Sequence, residues 1–178
     1  MEKIELFSSK KKSFLLLIGS LLFLAGGIWF FFDAENLANF KYRSPILIKT
    51  IGIISILFSG IAIYISIKQL VKNQLLLLID ENGINLNPKK MSTQNIEWKN
   101  IEGFSELKIQ SQKMVIIEVN NPDFWINKEK NYLRKKAIEY NFSNYGSPFV
   151  VSAVSMQINY IELLKILNEN HEKYKKFA

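Results

Sequence analysis

Two apolar stretches near the N-terminus, residues 13–32 and 50–67, constrain this chain more than any other feature, and neither contains a charged residue. About 20 helical residues cover the ~30 Å hydrocarbon core of a bilayer. A helix in lipid also satisfies its own backbone hydrogen bonds. We therefore predict transmembrane helices over residues 13–32 and 46–70, joined by an external loop at 33–45.

A cleaved signal peptide would have a shorter apolar core, of roughly 7–15 residues, followed by a small-residue cleavage site. Here the first apolar run continues through Ala25-Gly26-Gly27 as far as Phe32, and a second run follows. We therefore expect the first stretch to be retained as a membrane span.

Basic residues flank the two spans on the side of the chain termini. Lys10–Lys12 precede the first span, and Lys68 and Lys72 end the second. The connecting segment contains Lys41 and Arg43, but acidic residues at 33 and 35 offset them. Because Lys and Arg accumulate on the cytoplasmic side, residues 1–12 and 73–178 are both predicted to be cytoplasmic. The abundance of Ile, Lys and Asn indicates an AT-rich bacterial genome, so the protein is expected to be multi-pass in a bacterial inner membrane.

Small residues form a stripe along one face of the second span, and the first span carries similar pairs seven residues apart. The stripe comprises Gly52, Ser55, Ser59, Ala62 and Ser66, and the pairs are Gly19/Gly26 and Ser20/Gly27. Small side chains allow helices to approach closely in lipid. The stripe is explained either by packing of the two spans against each other or by homo-oligomerisation. Neither span contains an interior charge or histidine, so a transport pathway is not supported.

The basic excess belongs mostly to the membrane region. Of the formal net charge of +7, the first 72 residues contribute nine basic against four acidic residues, and the remainder fourteen against twelve. A nucleic-acid-binding domain would need a strongly basic face, so no nucleic acid partner is expected. The chain contains no cysteine, which excludes disulfides and thiolate chemistry.

Short strands are predicted from residue 73 onward. They cover residues 74–80, 84–87, 95–98, 104–110 and 113–119, followed by a late strand at 149–154. In the fourth and fifth, Leu107 and Ile109 are expected to face Val115 and Ile117. The N-terminal segment Ile4–Phe7 also has strand character and is expected to pair with this sheet. Strands at this spacing indicate a meander or small barrel.

Two helices are predicted in the same domain. Asn121-Pro122-Asp123 is a typical helix start, and the helix is expected to run to about Tyr140. Its apolar side would comprise Ile126, Leu133, Ala137 and Tyr140. Asn159 and Glu162 predict a capping box that begins a final helix ending near Lys175. The face of the final helix expected to pack on the sheet contains Tyr160, Ile161, Leu164 and Leu167.

A family resemblance rests on Gly83-Ile84 and on the segment 95–104, which contains Ile96, Trp98 and Ile101. These residues resemble the G-I…I-x-W-x-x-I signature of bacterial pleckstrin-homology-like domains. The segment 145–149, the final helix and the N-terminal segment resemble an uncharacterised membrane subfamily. The resemblance implies a half-open, seven-stranded sheet closed by a C-terminal helix, with Trp98 and Ile101 in the core. It implies no enzymatic activity, and the helix predicted at 122–140 is a departure from it.

Catalytic and cofactor signatures are scarce in this sequence. His171, the single histidine, lies in a charged run and is interpreted as part of a solvated helix end. No glycine-rich phosphate loop is present, so neither cofactor nor metal is expected. Phe124, Trp125 and Tyr132 are interpreted as core residues rather than a ligand platform.

The strongest binding signal is a basic cluster on the predicted inserted helix, comprising Lys128, Lys130, Arg134, Lys135 and Lys136. Basic residues near an anionic lipid surface each contribute about 1 kcal/mol to binding. The cluster is either a lipid or partner contact or a solvated helix face.

These observations together predict an α+β protein with a transmembrane helical hairpin. A PH-like antiparallel half-barrel follows, with an inserted helix and a C-terminal capping helix. The expected function is non-catalytic: the domain presents a binding surface, for anionic lipid head groups or a protein, at the membrane. The alternative is a structural subunit that oligomerises through the small-residue stripe.

Overall fold

The computed structural model describes residues 3–41, 44–88 and 95–175. The chain divides into two compact units, a helical unit at Ser9–Asn73 and a mixed unit formed by Met1–Ser8 together with Gln74–Ala178. The architecture is therefore mixed helix and antiparallel sheet, as expected.

The helical unit contains helix α1 (Lys10–Phe32), helix α2 (Ala34–Lys41) and helix α3 (Pro45–Val71). Helices α1 and α3 are long and apolar enough to cross a membrane. In their most apolar windows only 11% of α1 and 17% of α3 is buried within the protein. Helices in the core of a soluble protein are mostly buried, so these two do not have that role.

Helix α2 lies within the segment that was predicted to be an external loop. Ala34 and Ala38 are buried, and they pack with Ile48 at the start of α3. An ion pair of 3.4 Å between Glu35 and the Lys49 ammonium also joins α2 to α3. In its described residues, the connection between the two long helices is thus a short packed helix.

Small residues line the contact between α1 and α3. A Cβ built on Gly52 would lie 2.8 Å from the Gly27 carbonyl oxygen and 2.9 Å from the Phe31 amide nitrogen. Ser59 and Ser66 are buried, and each hydroxyl donates to a carbonyl four residues earlier in α3. Their polar groups are therefore satisfied within the helix. The predicted stripe is used for packing within one chain.

The mixed unit contains seven strands within its described residues. Strands β1 (Ile4–Phe7), β2 (Leu75–Asp80), β3 (Gly83–Asn85) and β4 (Asn95–Glu97) form one antiparallel sheet in the order β1-β2-β3-β4. Strands β5 (Ile101–Ile109), β6 (Gln112–Val119) and β7 (Phe149–Val151) form the other, in the order β5-β6-β7. The prediction that Ile4–Phe7 joins the sheet is confirmed by its pairing with β2.

The short turn Trp98–Asn100, a single 3-10 turn, connects the two sheets. Trp98 is buried and its indole Nε1 donates to the Asp80 carbonyl oxygen at 2.8 Å. Ile101 is also buried. Both residues belong to the core, as predicted, and Trp98 fixes the end of β2 against the start of β5.

One register prediction is wrong. Phe104 pairs with Ile117 and Glu106 with Val115, while Leu107 pairs with Met114. Leu107 and Ile109 therefore lie on the opposite face from Val115 and Ile117, because a shift of one residue moves every side chain to the other side of a sheet. Strand β7 is also shorter than predicted.

The predicted single helix at 122–140 is two helices, α4 (Pro122–Lys128) and α5 (Tyr132–Tyr145). The start of α4 is confirmed, since the Asn121 side chain accepts a hydrogen bond from the Phe124 amide. The break follows from Asn131, whose side chain caps α5 by accepting from the Arg134 amide at 3.1 Å. Helix α5 then ends at Gly146, which has a positive φ of 77°.

The final helix α6 (Tyr160–Lys175) begins with the predicted capping box. The Asn159 amide donates to Glu162, and the Glu162 amide donates to the Asn159 side chain at 3.0 Å. Leu163 and Leu167 are fully buried, whereas Ile161 is exposed. The predicted core face was therefore wrong at Ile161 and missed Leu163.

The core of the mixed unit joins both sheets and α6. Its most buried members are Leu77, Ile79, Ile84, Ile96, Val115, Ile117, Leu163 and Leu167. Burying such side chains contributes about 1.5–3 kcal/mol each. Between β6 and β7, α4 adds Trp125 to this core, whereas α5 contributes no buried residue.

Candidate functional site

The five predicted basic residues lie along α4, α5 and the break between them. Lys128 is the last residue of α4 and Lys130 lies in the break. Arg134, Lys135 and Lys136 follow in the first turns of α5. The residues therefore belong to one segment of the chain but do not share a single helical face.

Arg134 forms an ion pair within the same segment. Its guanidinium lies 3.7 Å from the carboxylate of Glu129, which is buried. The same carboxylate accepts a hydrogen bond of 2.8 Å from the Asn131 amide. A buried carboxylate needs such partners. Arg134 therefore stabilises the break between the helices rather than serving as a free binding group.

Three of the other four basic residues are exposed. The Lys128 ammonium lies 5.4 Å from the Phe124 ring centroid and 5.1 Å from that of Trp125, distances typical of cation–π contacts. Lys130 and Lys136 are exposed, and Lys136 pairs with Glu139 at 3.3 Å. Among the described residues, no carboxylate lies within ion-pairing distance of Lys128 or Lys130. Lys135 is half-buried.

Helix α5 carries an exposed apolar face, which the sequence prediction had assigned to the core. Leu133 is 77% exposed and Tyr132 71% exposed, and Tyr140 and Ala137 also face outward. Tyr132, Lys136 and Tyr140 recur at intervals of four residues, which places them on one helical face. Phe124 on α4 is also exposed, so of the three expected core aromatics only Trp125 is buried.

A polar cleft of about 340 Å³ adjoins α4, and sequence reasoning did not identify it. Its lining comprises Asn95, Glu97, Lys99, Asn100, Asn120, Asn121, Phe124, Trp125 and Lys128. The Asn120 side chain donates to the Lys99 carbonyl oxygen at 3.3 Å, and the Asn120 amide donates to the Asn100 carbonyl. The Lys99 ammonium pairs with Glu97 at 2.6 Å. The cleft therefore offers amides and the Lys128 cation for binding a polar group.

His171 lies in the core, so its interpretation as a solvated helix end is wrong. The ring is buried, with Nε2 at 3.0 Å from the Ile101 carbonyl oxygen, to which it donates a hydrogen bond. The ring also packs near Trp98 and against the edge of Phe104. The sequence did contain a signal for this burial, because His171 follows Leu167, a core residue of α6, by four residues and therefore lies on the same helical face.

Glu106, Lys113 and Tyr160 form a charged cluster on the surface of β5, β6 and α6. The hydrogen bond from the Lys113 ammonium, 2.9 Å long, holds the pKa of Glu106 below its ordinary value. Burial raises the pKa of the Tyr160 hydroxyl, and the charge of nearby Glu106 adds to the rise. Both shifts are explained by this local arrangement, which links the strands to the start of α6.

Within residues 3–41, 44–88 and 95–175, no group of three or more His, Cys, Asp or Glu side chains is arranged to hold a metal ion. Comparison of the chain with models of protein families, with curated proteins and with solved structures found no match. The chemistry of the site therefore has to be argued from its own residues, which combine cations, amides and exposed aromatic rings.

Proposed function

We propose that this protein is an integral membrane protein whose mixed unit presents a binding surface at the membrane, without catalysis. The observation that carries the proposal is the exposure of two long apolar helices. Outside their mutual contact, α1 and α3 present large apolar side chains such as Leu22, Phe23, Leu57 and Phe58. A surface of this size is unfavourable in water and favourable in lipid.

Pairing of β1 with β2 supports the hairpin arrangement. Strand β1 precedes α1 and β2 follows α3, and the Cα partners include Leu6 with Leu77. Two helices that both cross a bilayer return the chain to its starting side, where the strands are able to pair. The basic residues Lys10–Lys12, Lys68 and Lys72 favour the cytoplasm for that side. We place the hairpin in a bacterial inner membrane on this basis and on the family resemblance.

We further propose that the mixed unit is a pleckstrin-homology-like domain. The resemblance implies seven strands closed by a C-terminal helix, and the four-stranded sheet, the three-stranded sheet and α6 agree with that plan. Burial of Trp98 and Ile101 supports the same assignment. The membrane hairpin would then be inserted between the first two strands, and α4 with α5 between the last two.

Limited proteolysis tests the membrane proposal. An external protease added to right-side-out cells is expected to spare the segment beyond residue 73, while the same protease added to inverted vesicles is expected to degrade it. Release of that segment from intact cells would contradict the orientation. Extraction of the chain by alkaline carbonate would contradict membrane insertion itself.

Oligomerisation through the small-residue stripe is the weaker proposal. Gly52, Ser59 and Ser66 are already buried by packing within the helical unit, so the stripe is not free to contact a second copy. Ser59→Leu tests the distinction: it is expected to disturb the hairpin. Loss of crosslinked oligomers with the hairpin intact would favour the structural-subunit alternative.

A further inference from the structure

The α4–α5 segment carries exposed apolar side chains and exposed lysines on the same stretch of surface. Tyr132, Leu133 and Tyr140 face outward from α5, with Lys136 between them. Over these residues the face extends about 12 Å along the helix. Exposed large apolar groups of this kind are rare in clusters on soluble domains and mark interaction sites.

The cations around this face are suited to an anionic partner. Lys128 and Lys130 are not ion-paired among the described residues, and Lys136 shares an exposed pair with Glu139. The acidic Glu129 is buried and neutralised by Arg134. The outward-directed charge near the apolar face is therefore mainly positive, and lysines close to a membrane surface are attracted by anionic lipid head groups.

We propose that this face, formed by Tyr132, Leu133, Lys136, Tyr140 and the adjacent Lys130, docks onto an anionic lipid surface. The inference rests on the proposed membrane function, because α1 and α3 would hold the mixed unit close to a bilayer at high effective concentration. Leu133 and the tyrosine rings enter the headgroup region, where amphipathic rings are favoured. Lys130 and Lys136 contact lipid phosphates.

The absence of native cysteine allows a direct test in the full-length protein. A nitroxide spin label is attached at Leu133→Cys, and the chain is reconstituted in bilayer nanodiscs of phosphatidylcholine alone or mixed with phosphatidylglycerol. Oxygen, which concentrates in lipid, and a water-soluble nickel chelate then report the environment of the label. The matched control is Ile161→Cys on α6, since Ile161 is 74% exposed and also apolar. A label at Leu57→Cys on α3 tests the membrane helices.

In discs containing phosphatidylglycerol, the Leu133 label is expected to be protected from the nickel chelate and accessible to oxygen. In discs of phosphatidylcholine alone, both the protection and the oxygen accessibility are expected to be smaller. The Ile161 label stays in water in both. Lys130→Gln and Lys136→Gln, introduced together, are expected to weaken docking about fivefold per lysine. Lys165→Gln, which removes a similarly paired lysine from α6, is expected to have no effect.

Three outcomes would overturn lipid docking while leaving the membrane proposal intact, provided that the Leu57 label is embedded. A Leu133 label that stays in water in both lipids would leave this face for a protein partner instead. Equal burial of the Leu133 and Ile161 labels would show that contact with lipid is not specific to the α5 face. If burial of the Leu133 label changes neither with phosphatidylglycerol nor with the lysine substitutions, recognition of anionic lipid is excluded. A Leu57 label in water would overturn the membrane proposal and lipid docking with it.

Discussion

The close contact of α3 with α1 at Gly52 provides the sharpest test of the helical unit. Replacing Gly52 by alanine places a methyl group 2.8 Å from the Gly27 carbonyl oxygen and 2.9 Å from the Phe31 amide nitrogen. Both neighbours are backbone atoms, so no side-chain rotation relieves the overlap. Ordinary contacts lie near 3.5–4.0 Å, so the helices have to separate by roughly 0.5–1 Å at this point.

Overpacking of this kind costs about 1–3 kcal/mol. The matched control is Gly60→Ala in the same helix, where a new Cβ meets no atom within 4 Å apart from the neighbouring backbone of its own helix. Each substitution exchanges glycine for a better helix former, a gain of at most about 1 kcal/mol. Because that gain is common to both variants, the difference between them isolates the clash and is expected to be about 1–3 kcal/mol.

The assay is a titration of the detergent-solubilised chain with dodecyl sulfate. Separation of the helices is followed by energy transfer between labels at Lys11→Cys and Val71→Cys. In the Gly52→Ala variant, the helices are expected to separate at a lower dodecyl sulfate concentration than in the unsubstituted chain. In the Gly60→Ala variant, they are expected to separate at an equal or higher concentration. Equal midpoints for the two alanine variants, or greater loss with Gly60→Ala, would refute the packing of α1 on α3 through Gly52.

Three further predictions concern the mixed unit. Leu163→Ala is expected to lower the free energy of unfolding by about 2–5 kcal/mol because the side chain is fully buried. Ile161→Ala, at an exposed position, should change it by less than about 0.5 kcal/mol. Urea unfolding followed by tryptophan fluorescence compares the two variants. Asn131→Ala removes the cap of α5 and is expected to cost about 1 kcal/mol in the same assay. Because Lys113 lowers the pKa of Glu106, the ionised carboxylate stabilises the fold above its ordinary pKa, and that stability is lost as pH falls through the lowered value. Glu106→Gln should therefore flatten this part of the acid-unfolding curve measured by circular dichroism.

The long helices and most strands were predictable because their signals are local. Apolar runs mark α1 and α3, and the Asn159–Glu162 capping box marks the start of α6. Helix α2 was missed because its sequence is short and polar, and its Ala34 and Ala38 are buried through tertiary packing that includes Ile48 of α3. A helix of this kind depends on packing more than on its own sequence pattern.

The register of β5 and β6 was harder to predict from the sequence, because the turn that joins the two strands has an unusual sequence. The strands are joined through Gln110 and Ser111, and Gln110 has a positive φ of 53°. Tight hairpin turns usually place glycine, asparagine or aspartate at such positions. Nothing in the sequence therefore located the turn, and the predicted pairing moved by one residue.

The candidate site was predictable in its charges but not in its apolar part. Lysine and arginine at 128–136 are evident in the sequence, whereas the break at Glu129–Asn131 rotates α5 relative to a continuous helix. With a continuous helix, Leu133 and Tyr140 would have continued the buried side that includes Ile126. The cleft beside α4 was not predictable because Asn95, Asn100 and Asn120 come together only through the meeting of the two sheets.

Pairing of β1 with β2 makes the helical unit an insertion in what would otherwise be a simple hairpin. Leu6 from β1 and Leu77 from β2 enter the same core, although 70 residues of chain separate them. The entropy of closing a loop grows only slowly with its length, and a compact helical unit brings its two ends together in advance. Folding of the mixed unit therefore depends on the helical unit twice. The chain must first pass through both helices, and contacts near their outer ends, where the Ser13 hydroxyl of α1 donates to the Gln69 side chain of α3 at 2.7 Å, must then hold those ends close enough for β1 to meet β2.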